Sequence, residues 1–170
     1  LARQKCPDIV FVQPHYDLYL QYSQIARKIY SEYTDQVEPF GLDECWLDVT
    51  GSTHLVGSGK TIADQLRERM KAELGVTASV GVSYNKIFAK LGSDMKKPDA
   101  TTIIPSDRFR EVVWPLPVSD LLYVGRATHN KLRRCGIRTI GNLAQTDQGF
   151  LQNLLGQNGA MLWLFATGLD

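Results

Sequence analysis

The spacing of apolar residues predicts three helices in the first hundred positions. Residues 16–34 carry apolar side chains at steps of three and four, the period of one helix face. This stripe, which we expect to contact the core, consists of Leu18, Tyr22, Ile25, Ile29 and Tyr33. Residues 56–74 repeat apolar residues at steps of four and end before Gly75, a residue typical of helix C-caps. Residues 85–97 predict a third helix with Asn85 as its N-cap.

Shorter apolar runs between these helices predict strands. A tight bend at 39–41 separates one strand from a second strand over 42–49. Residues 76–84 and 100–104 predict two more strands, whereas the apolar run between prolines at 7–14 predicts a strand or an extended connector. This order of elements indicates an α+β fold with an antiparallel or mixed sheet and helices on one face.

After Pro105 the pattern changes to short helices alone. Residues 106–121 contain two prolines and predict a connector with a short helix. The helical patterns beyond it cover 126–135, 139–145, 147–155 and 158–167. The chain therefore divides into an α+β part over 15–105 and a small all-helical part over 106–170.

Charge is distributed unevenly, although the net charge is only +1. Residues 1–50 carry four Lys/Arg and eight Asp/Glu, whereas residues 51–170 carry fifteen and ten. Five basic residues and no acid fall within residues 121–140. An acidic part followed by a basic patch fits a cation site beside a polyanion site, and a solvated basic helix face is the alternative.

Cysteine usage and hydropathy favour a cytoplasmic protein. The three cysteines lack metal-binding spacing, and an odd, sparse count favours free thiols in a reducing compartment over a disulfide framework. No apolar run approaches the roughly 18 residues of a membrane span, and no signal peptide is recognisable. We therefore expect a cytoplasmic location and no membrane partner.

Three carboxylates interrupt the apolar strand over 42–49. Asp48 precedes Thr50-Gly51 and is expected to form an ion pair or a cap locally. Asp43 and Glu44 lie at the strand end, where both can turn toward one edge. Two carboxylates at such a short distance repel each other unless a cation lies between them. Mg²⁺ prefers oxygen ligands of this kind. A Mg²⁺ site at Asp43 and Glu44 is therefore one interpretation of this segment; exposed turn residues are the other, and the pattern alone favours the latter.

The helix over 85–97 brings positive charge to its C-terminal end. Lys96 and Lys97 lie where the helix dipole favours cations, and a lysine can supply a point charge to a triphosphate. Asp94 is placed to hold such a lysine. A solvated amphipathic helix is the other interpretation, which the pattern alone favours.

Two long motifs resemble the Y-family, or translesion, DNA polymerases, and among them the bacterial polymerase IV type. They are "GLDECWLDVTGS" (41–52) and "SVGVSYNKIFAKLGSDMKKPDATTII" (79–104), in the family's order. Residues 6–30 are similar to the end of the family's fingers and its first palm helix. The resemblance implies template-directed, error-prone DNA synthesis by two-metal nucleotidyl transfer. It also implies two Mg²⁺ ions, primer-template DNA and a deoxynucleoside triphosphate.

The resemblance assigns roles by position. Asp43 matches a metal-binding aspartate, and Glu44 matches the catalytic glutamate beside the primer 3′ hydroxyl. Lys97 matches the lysine that contacts the triphosphate of the incoming nucleotide, and Asp94 matches a position near that nucleotide. Ala100 replaces the glycine that usually follows Lys-Pro-[ND] in the family.

Residues 121–145 resemble the helix-hairpin-helix of the family's thumb. A tight turn opens a helix whose free N–H groups can meet a DNA phosphate, and basic side chains add sequence-independent contacts. The candidate DNA-binding residues are Val124, Gly125, Arg126, Lys131 and Arg134. Tyr123 stands where the family has its first glycine. A hairpin of structural value only is the alternative.

The resemblance divides the chain into the end of the fingers (1–14), a partial palm (15–105) and a thumb (106–170). It implies that the first palm strand, with another metal-binding aspartate, lies before Leu1 and that the little finger lies after Asp170. We therefore expect the chain alone to be inactive and a sliding clamp to bind only through segments outside it. The alternatives are a non-catalytic DNA-binding module that uses the hairpin and a nucleotide cyclase, which needs neither the lysine helix nor the hairpin.

Overall fold

The computed structural model describes residues 1–170 as ten α-helices and four short strands. The first part comprises α1 (Ala2–Lys5), α2 (Tyr16–Ser31), the antiparallel pair β1 (Val37–Phe40) and β2 (Glu44–Leu47), α3 (Thr53–Val56) and α4 (Gly59–Leu74). The parallel unit that follows comprises β3 (Val80–Val82), α5 (Lys86–Met95) and β4 (Thr101–Ile103). The remaining helices are α6 (Phe109–Val113), α7 (Arg126–Arg134), α8 (Ile140–Ala144), α9 (Gln148–Leu155) and α10 (Gln157–Ala166). None of the helices combines the length and apolar character that crossing a membrane requires.

The α+β class is confirmed, but the strands form two ladders instead of one sheet. β1 pairs with β2 and β3 pairs with β4, while no ladder joins the two pairs. Residues of both ladders, of α2, α4 and α5 line one cleft of about 1610 Å³. Gly81 of β3 faces Ala89 of α5, whereas Val82 points the other way, toward Gly59 of α4. The sheet therefore differs in detail from the expected single sheet with helices on one face.

The turn of the β1–β2 hairpin lies later in the chain than predicted. Pro39 pairs with Cys45 inside β1, and residues 41–43 form the turn, where Gly41 has a φ of 74°. β1 has only one neighbour, so a proline without an N–H is tolerated there. β2 is accordingly shorter than the strand predicted over 42–49.

The predicted apolar stripe of α2 is mostly on the wrong face. Three of its members are exposed, namely Leu18, Tyr22 and Ile25. The buried residues of α2 are Ser23, Ala26 and Ile29. The Ser23 hydroxyl donates a hydrogen bond to the Leu42 carbonyl in the hairpin turn, and small side chains on this face let the helix lie close to that turn. Apolar spacing located the helix but not the face that its neighbours cover.

Two capping residues were predicted correctly, but the start of α4 was not. Gly75 ends α4 in the left-handed conformation, and the side chain of Asn85 accepts a hydrogen bond from the N–H of Phe88 at 2.8 Å, both as predicted. The helix predicted from residue 56 begins instead at Gly59, because Gly57 has a φ of 114° and interrupts it. The buried face of α4 is the predicted one and includes Ile62, Leu66 and Met70.

The chain has two apolar cores, and the larger one crosses the predicted boundary near residue 105. The smaller core joins α2 and α4. The larger core contains fifteen buried residues and extends from α5 into the C-terminal helices. In it the fully buried Phe88 of α5 packs on Phe109 of α6, with ring centroids 5.3 Å apart. The helical part is therefore attached to the α+β part through α5.

Polar contacts fix the same junction. The side-chain amide of Asn85 donates to the carbonyl of Gly168 at 2.9 Å, and the Lys86 N–H donates to the carboxylate of Asp170 at 2.8 Å. The last residues of the chain thus hold the first turn of α5.

A substitution at Gly81 tests the packing of β3 on α5. A Cβ there would overlap the backbone carbonyl of Ala89. Gly81 is held by pairing with Thr102 of β4, and the Ala89 N–H donates to the Asn85 carbonyl at 3.1 Å. We predict that Gly81→Ala lowers the free energy of unfolding by about 3 kcal/mol, measured by urea unfolding followed by circular dichroism. Gly51→Ala is the control, because nothing lies within 4 Å of its Cβ position. Equal losses in both variants would contradict the close packing.

Candidate functional site

A line of ion pairs runs from the hairpin to the turn after α5. The carboxylate of Glu44, the first residue of β2, lies 3.3 Å from Nζ of Lys90. Lys90 also pairs with Asp94 at 2.5 Å, and Asp94 pairs with Lys97 at 2.7 Å. This ion-pair line, Glu44–Lys90–Asp94–Lys97, brings together three of the four residues predicted for the acidic and nucleotide sites.

Asp43, the fourth predicted residue, stands outside the ion-pair line. It is exposed in the hairpin turn, and its carboxylate forms no hydrogen bond or ion pair with the rest of the chain. Burial raises the pKa of Tyr30 on α2, and the charges of Cys45 and Asp43 raise that pKa further. Because the Asp43 carboxylate has no partner within the chain, it is free to bind a cation. Asp43 lines the same cleft as Glu44, Lys90 and Lys97.

Charge pairing determines the protonation of the two central members of the ion-pair line. Partial burial alone would lower the pKa of Lys90. Hydrogen bonds and charges from Asp94 and Glu44 outweigh burial, so the net effect is a raised pKa. Partial burial raises the pKa of Asp94, but Lys90 and Lys97 outweigh it, so that pKa is lowered. At neutral pH Lys90 is therefore a cation and Asp94 an anion.

The two acids at the turn of the β1–β2 hairpin offer part of a Mg²⁺ ligand set. The oxygens of Asp43 and Glu44 are the donors that Mg²⁺ prefers. No group of three or more His, Cys, Asp or Glu side chains in the chain is placed to hold a metal ion. Asp48 accepts a hydrogen bond from the Thr50 N–H at 2.9 Å, the local cap expected for it. Ligands beyond Asp43 and Glu44 would have to come from phosphate, water or segments outside this chain.

Two lysines of α5 that the sequence analysis did not assign to the site hold β2 in place. Lys90 pairs with Glu44, and one helical turn earlier the Lys86 carbonyl accepts a hydrogen bond from Nε1 of Trp46 at 2.9 Å. Nζ of Lys86 lies 5.5 Å from the centre of the Trp46 ring and 3.2 Å from Glu38. The signal was present in the sequence: residues 86 and 90 share a helix face, and residues 44 and 46 share a strand face.

The predicted turn of the helix-hairpin-helix, with Tyr123, Val124 and Gly125, lies directly before α7. Gly125 is the N-cap of α7, and the N–H groups of residues 125–128 donate no hydrogen bond within the chain. The place of Val124 among the predicted DNA contacts needs correction. Its side chain is 8% exposed in the core, and its N–H donates to the Leu121 carbonyl at 3.1 Å. Val124 therefore shapes the turn, while Gly125 and Arg126 present free N–H groups.

The cations of the helix-hairpin-helix (residues 121–145) form no ion pairs within the chain. All eleven ion pairs involve residues between Glu32 and Asp99. The exposed and unpaired cations of the hairpin are Arg126, Lys131, Arg133, Arg134 and Arg138. Unpaired cations beside free N–H groups at a helix N-terminus are the features that bind phosphate.

Tyr123, which stands where the resemblance places a glycine, has a backbone conformation that favours glycine. Its φ is 68°, in the left-handed region that a glycine adopts without strain. Its ring packs against Phe165 of α10, with centroids 6.3 Å apart. This contact helps to hold the strained residue, so the hairpin turn forms without the glycine.

Comparison with known proteins defines the class to which this fold and site belong. A model of the impB/mucB/samB family matches residues 1–94, and a model described as DNA polymerase-iota, thumb domain, matches residues 119–170. The chain therefore belongs to the impB/mucB/samB family, and the resemblance to Y-family DNA polymerases is confirmed.

The similar curated proteins carry the name DNA polymerase IV. The relative from Acetivibrio thermocellus is 57% identical and the one from Desulfatibacillum aliphaticivorans is 41% identical, each over 169 residues and 99% of this chain. The chain covers only 42% and 43% of those two proteins. The crystal structure of DinB from Sulfolobus solfataricus has the same fold, with a TM-score of 0.87 at 23% identity over 98% of this chain and 50% of that one. The chain thus spans half or less of the proteins that it matches.

Proposed function

We propose that this chain is the palm and thumb part of a template-directed DNA polymerase of the translesion, error-prone type. The observation that carries the proposal is the ion-pair line, which connects Glu44 to Lys97 along a cleft that Asp43 also lines. The assignment of 1–14 to the fingers, 15–105 to the palm and 106–170 to the thumb belongs to the same proposal. So does a cytoplasmic location, with which three free cysteines are consistent.

Asp43 and Glu44 are the proposed metal-binding and catalytic acids. Bound to their carboxylates, Mg²⁺ would neutralise phosphate charge and template the in-line displacement at the α-phosphate of a nucleotide. Lys90 holds Glu44 on the α5 side at 3.3 Å, so this carboxylate is oriented before substrate arrives. Asp43 has no partner to give up, and its carboxylate is available at once.

Lys97 is the proposed ligand of the triphosphate, with Asp94 beside it. The side chain of Lys97 is 56% exposed and its only partner is Asp94, so it can turn toward a nucleotide while Asp94 limits its range. Phosphoryl transfer depends mainly on positioning and on neutralising the phosphate oxygens, and a lysine point charge suits that task.

The thumb hairpin is the proposed contact with primer-template DNA. The free N–H groups of Gly125 and Arg126 would bind a backbone phosphate, and Lys131 and Arg134 would contact neighbouring phosphates. Such contacts do not depend on base sequence, as a polymerase requires. A sliding clamp remains a proposed partner through segments outside this chain.

A non-catalytic DNA-binding module is the second candidate. It is favoured by one observation, the lack of a group of three metal-binding side chains within the chain. The nucleotide cyclase alternative has no such support, because residues 119–170 match a polymerase thumb.

Loss of Asp43 separates the two candidates. In the complete protein, we predict that Asp43→Asn lowers the rate of primer extension by about a hundredfold or more, because a charged Mg²⁺ ligand is removed. DNA affinity, measured by fluorescence anisotropy, should stay unchanged. Asp48→Asn is the control, since Asp48 lines the same cleft but its carboxylate accepts a local hydrogen bond from the Thr50 N–H and is not a proposed metal ligand.

Normal extension by Asp43→Asn would show that the metal site is wrong. No extension by the unmutated complete protein would favour the binding module. The 170-residue chain alone is expected to be inactive in the same assay, and robust incorporation by it would contradict the partial ligand set.

The salt dependence of DNA binding tests whether the thumb helix-hairpin-helix contacts DNA phosphates. We predict that Lys131→Ala combined with Arg134→Ala weakens binding and lowers the slope of log affinity against log salt by about 2, because two phosphate contacts are lost. Lys60→Ala with Arg69→Ala removes the same charge from α4, where both cations are already paired. A slope that changes equally in both double variants would argue against the hairpin as the DNA contact.

A further inference from the structure

Arg67 of α4 holds the turn that follows α5. Its guanidinium donates to the Asp99 carboxylate from Nε at 3.1 Å and from Nη2 at 2.9 Å. Nη2 also donates to the backbone carbonyl of Asp99 at 2.6 Å, and Nη1 donates to the Thr101 hydroxyl at 3.3 Å. One side chain therefore fixes both the turn residue Asp99 and the start of β4.

The backbone at Asp99 needs this support. Its φ of 53° lies in the left-handed region, and Asp99 and Tyr123 are the only residues other than glycine with positive φ. Such a conformation is unfavourable and persists where surrounding contacts impose it. The second carboxylate oxygen of Asp99 is bound by Lys71 of α4 at 3.0 Å. Two cations of one helix thus impose the conformation of one turn residue.

The turn that Arg67 holds carries Lys97. Asp94 restrains the ammonium of Lys97 from the α5 side, while Arg67 restrains the backbone two residues later from the α4 side. Lys97 lines the cleft, whereas Arg67 does not. The Arg67 side chain is 16% exposed, and its guanidinium is already engaged with Asp64, Asp99 and Thr101. Arg67 can therefore influence a nucleotide in the cleft only through the turn.

We propose that Arg67 is a positioning residue for nucleotide binding by Lys97. It keeps Asp99 in the left-handed conformation, and the turn then directs the ammonium of Lys97 toward the cleft. The proposal rests on the proposed function for the assignment of the nucleotide to Lys97, while the hold on the turn stands on the contacts alone.

The test compares two arginines of the same helix in the complete protein. Arg67→Met is expected to raise KM for the incoming deoxynucleotide about tenfold, with kcat changed less than about twofold, because ground-state contact with the triphosphate is lost. Arg69→Met removes the same charge two residues further on, where the partners are Glu32 and Glu73, and should leave KM unchanged. Arg67→Lys keeps a cation near Asp99 and should recover part of the affinity.

Amide hydrogen exchange of residues 96–101 provides a readout that needs no nucleotide. Exchange should be faster in Arg67→Met than in Arg69→Met. If Arg67→Met does not fold, Asp99→Asn replaces it, because asparagine tolerates positive φ but loses the charge that Arg67 and Lys71 bind. A KM rise of about threefold is then expected.

Each outcome decides the matter. Unchanged KM in Arg67→Met, with or without faster exchange, would overturn the positioning role. An equal rise in KM in Arg69→Met would overturn it as well, since the effect would then be one of charge alone. No synthesis by the unmutated protein would overturn the proposed function, and the exchange data would still show whether Arg67 holds the turn.

Discussion

The ion pair between Glu44 and Lys90 is the contact on which the candidate site depends. The two strand ladders share no backbone hydrogen bonds, so side chains must hold the β1–β2 hairpin in place on the β3–α5–β4 unit. Glu44 binds Lys90 directly, and Trp46 binds the carbonyl of Lys86 one helical turn earlier. A partly exposed pair of this kind adds little to stability, typically less than about 1 kcal/mol. Its role is to place an acid beside the helix that ends near Lys97.

The two ends of the molecule use charge in opposite ways. In the α+β part every member of the ion-pair line has a protein partner, and only Asp43 of the predicted site residues there lacks one. In the helix-hairpin-helix no cation forms an ion pair, and residues 121–140 themselves contain no acid. Paired charges hold a fixed arrangement into which a small ligand can fit. Unpaired charges attract a polyanion from solution, and this contrast is why we propose DNA as the ligand of the helix-hairpin-helix and a nucleotide as the ligand of the cleft.

What the sequence predicted well is local chemistry. Asn85 as an N-cap and Gly75 as a C-cap follow from bonds within a few residues, and both were found. The face of α2 that is buried was not predictable, because the Ser23 bond to Leu42 depends on the hairpin that packs there. Arg67 escaped notice for the same reason, since its partner Asp99 is 32 residues away. Only the fold shows which charged residues meet across such distances.

A double-mutant cycle on Glu44 and Lys90 shows whether Lys90 orients Glu44 for catalysis. The measured quantity is kcat/KM for nucleotide incorporation by the complete protein with Glu44→Gln, Lys90→Met and both changes. If Lys90 acts by orienting Glu44, its removal lowers kcat/KM about tenfold in the unmutated background and less than about twofold once Glu44 is already changed. The same loss in both backgrounds would show that the two residues act independently and that Lys90 does not orient Glu44.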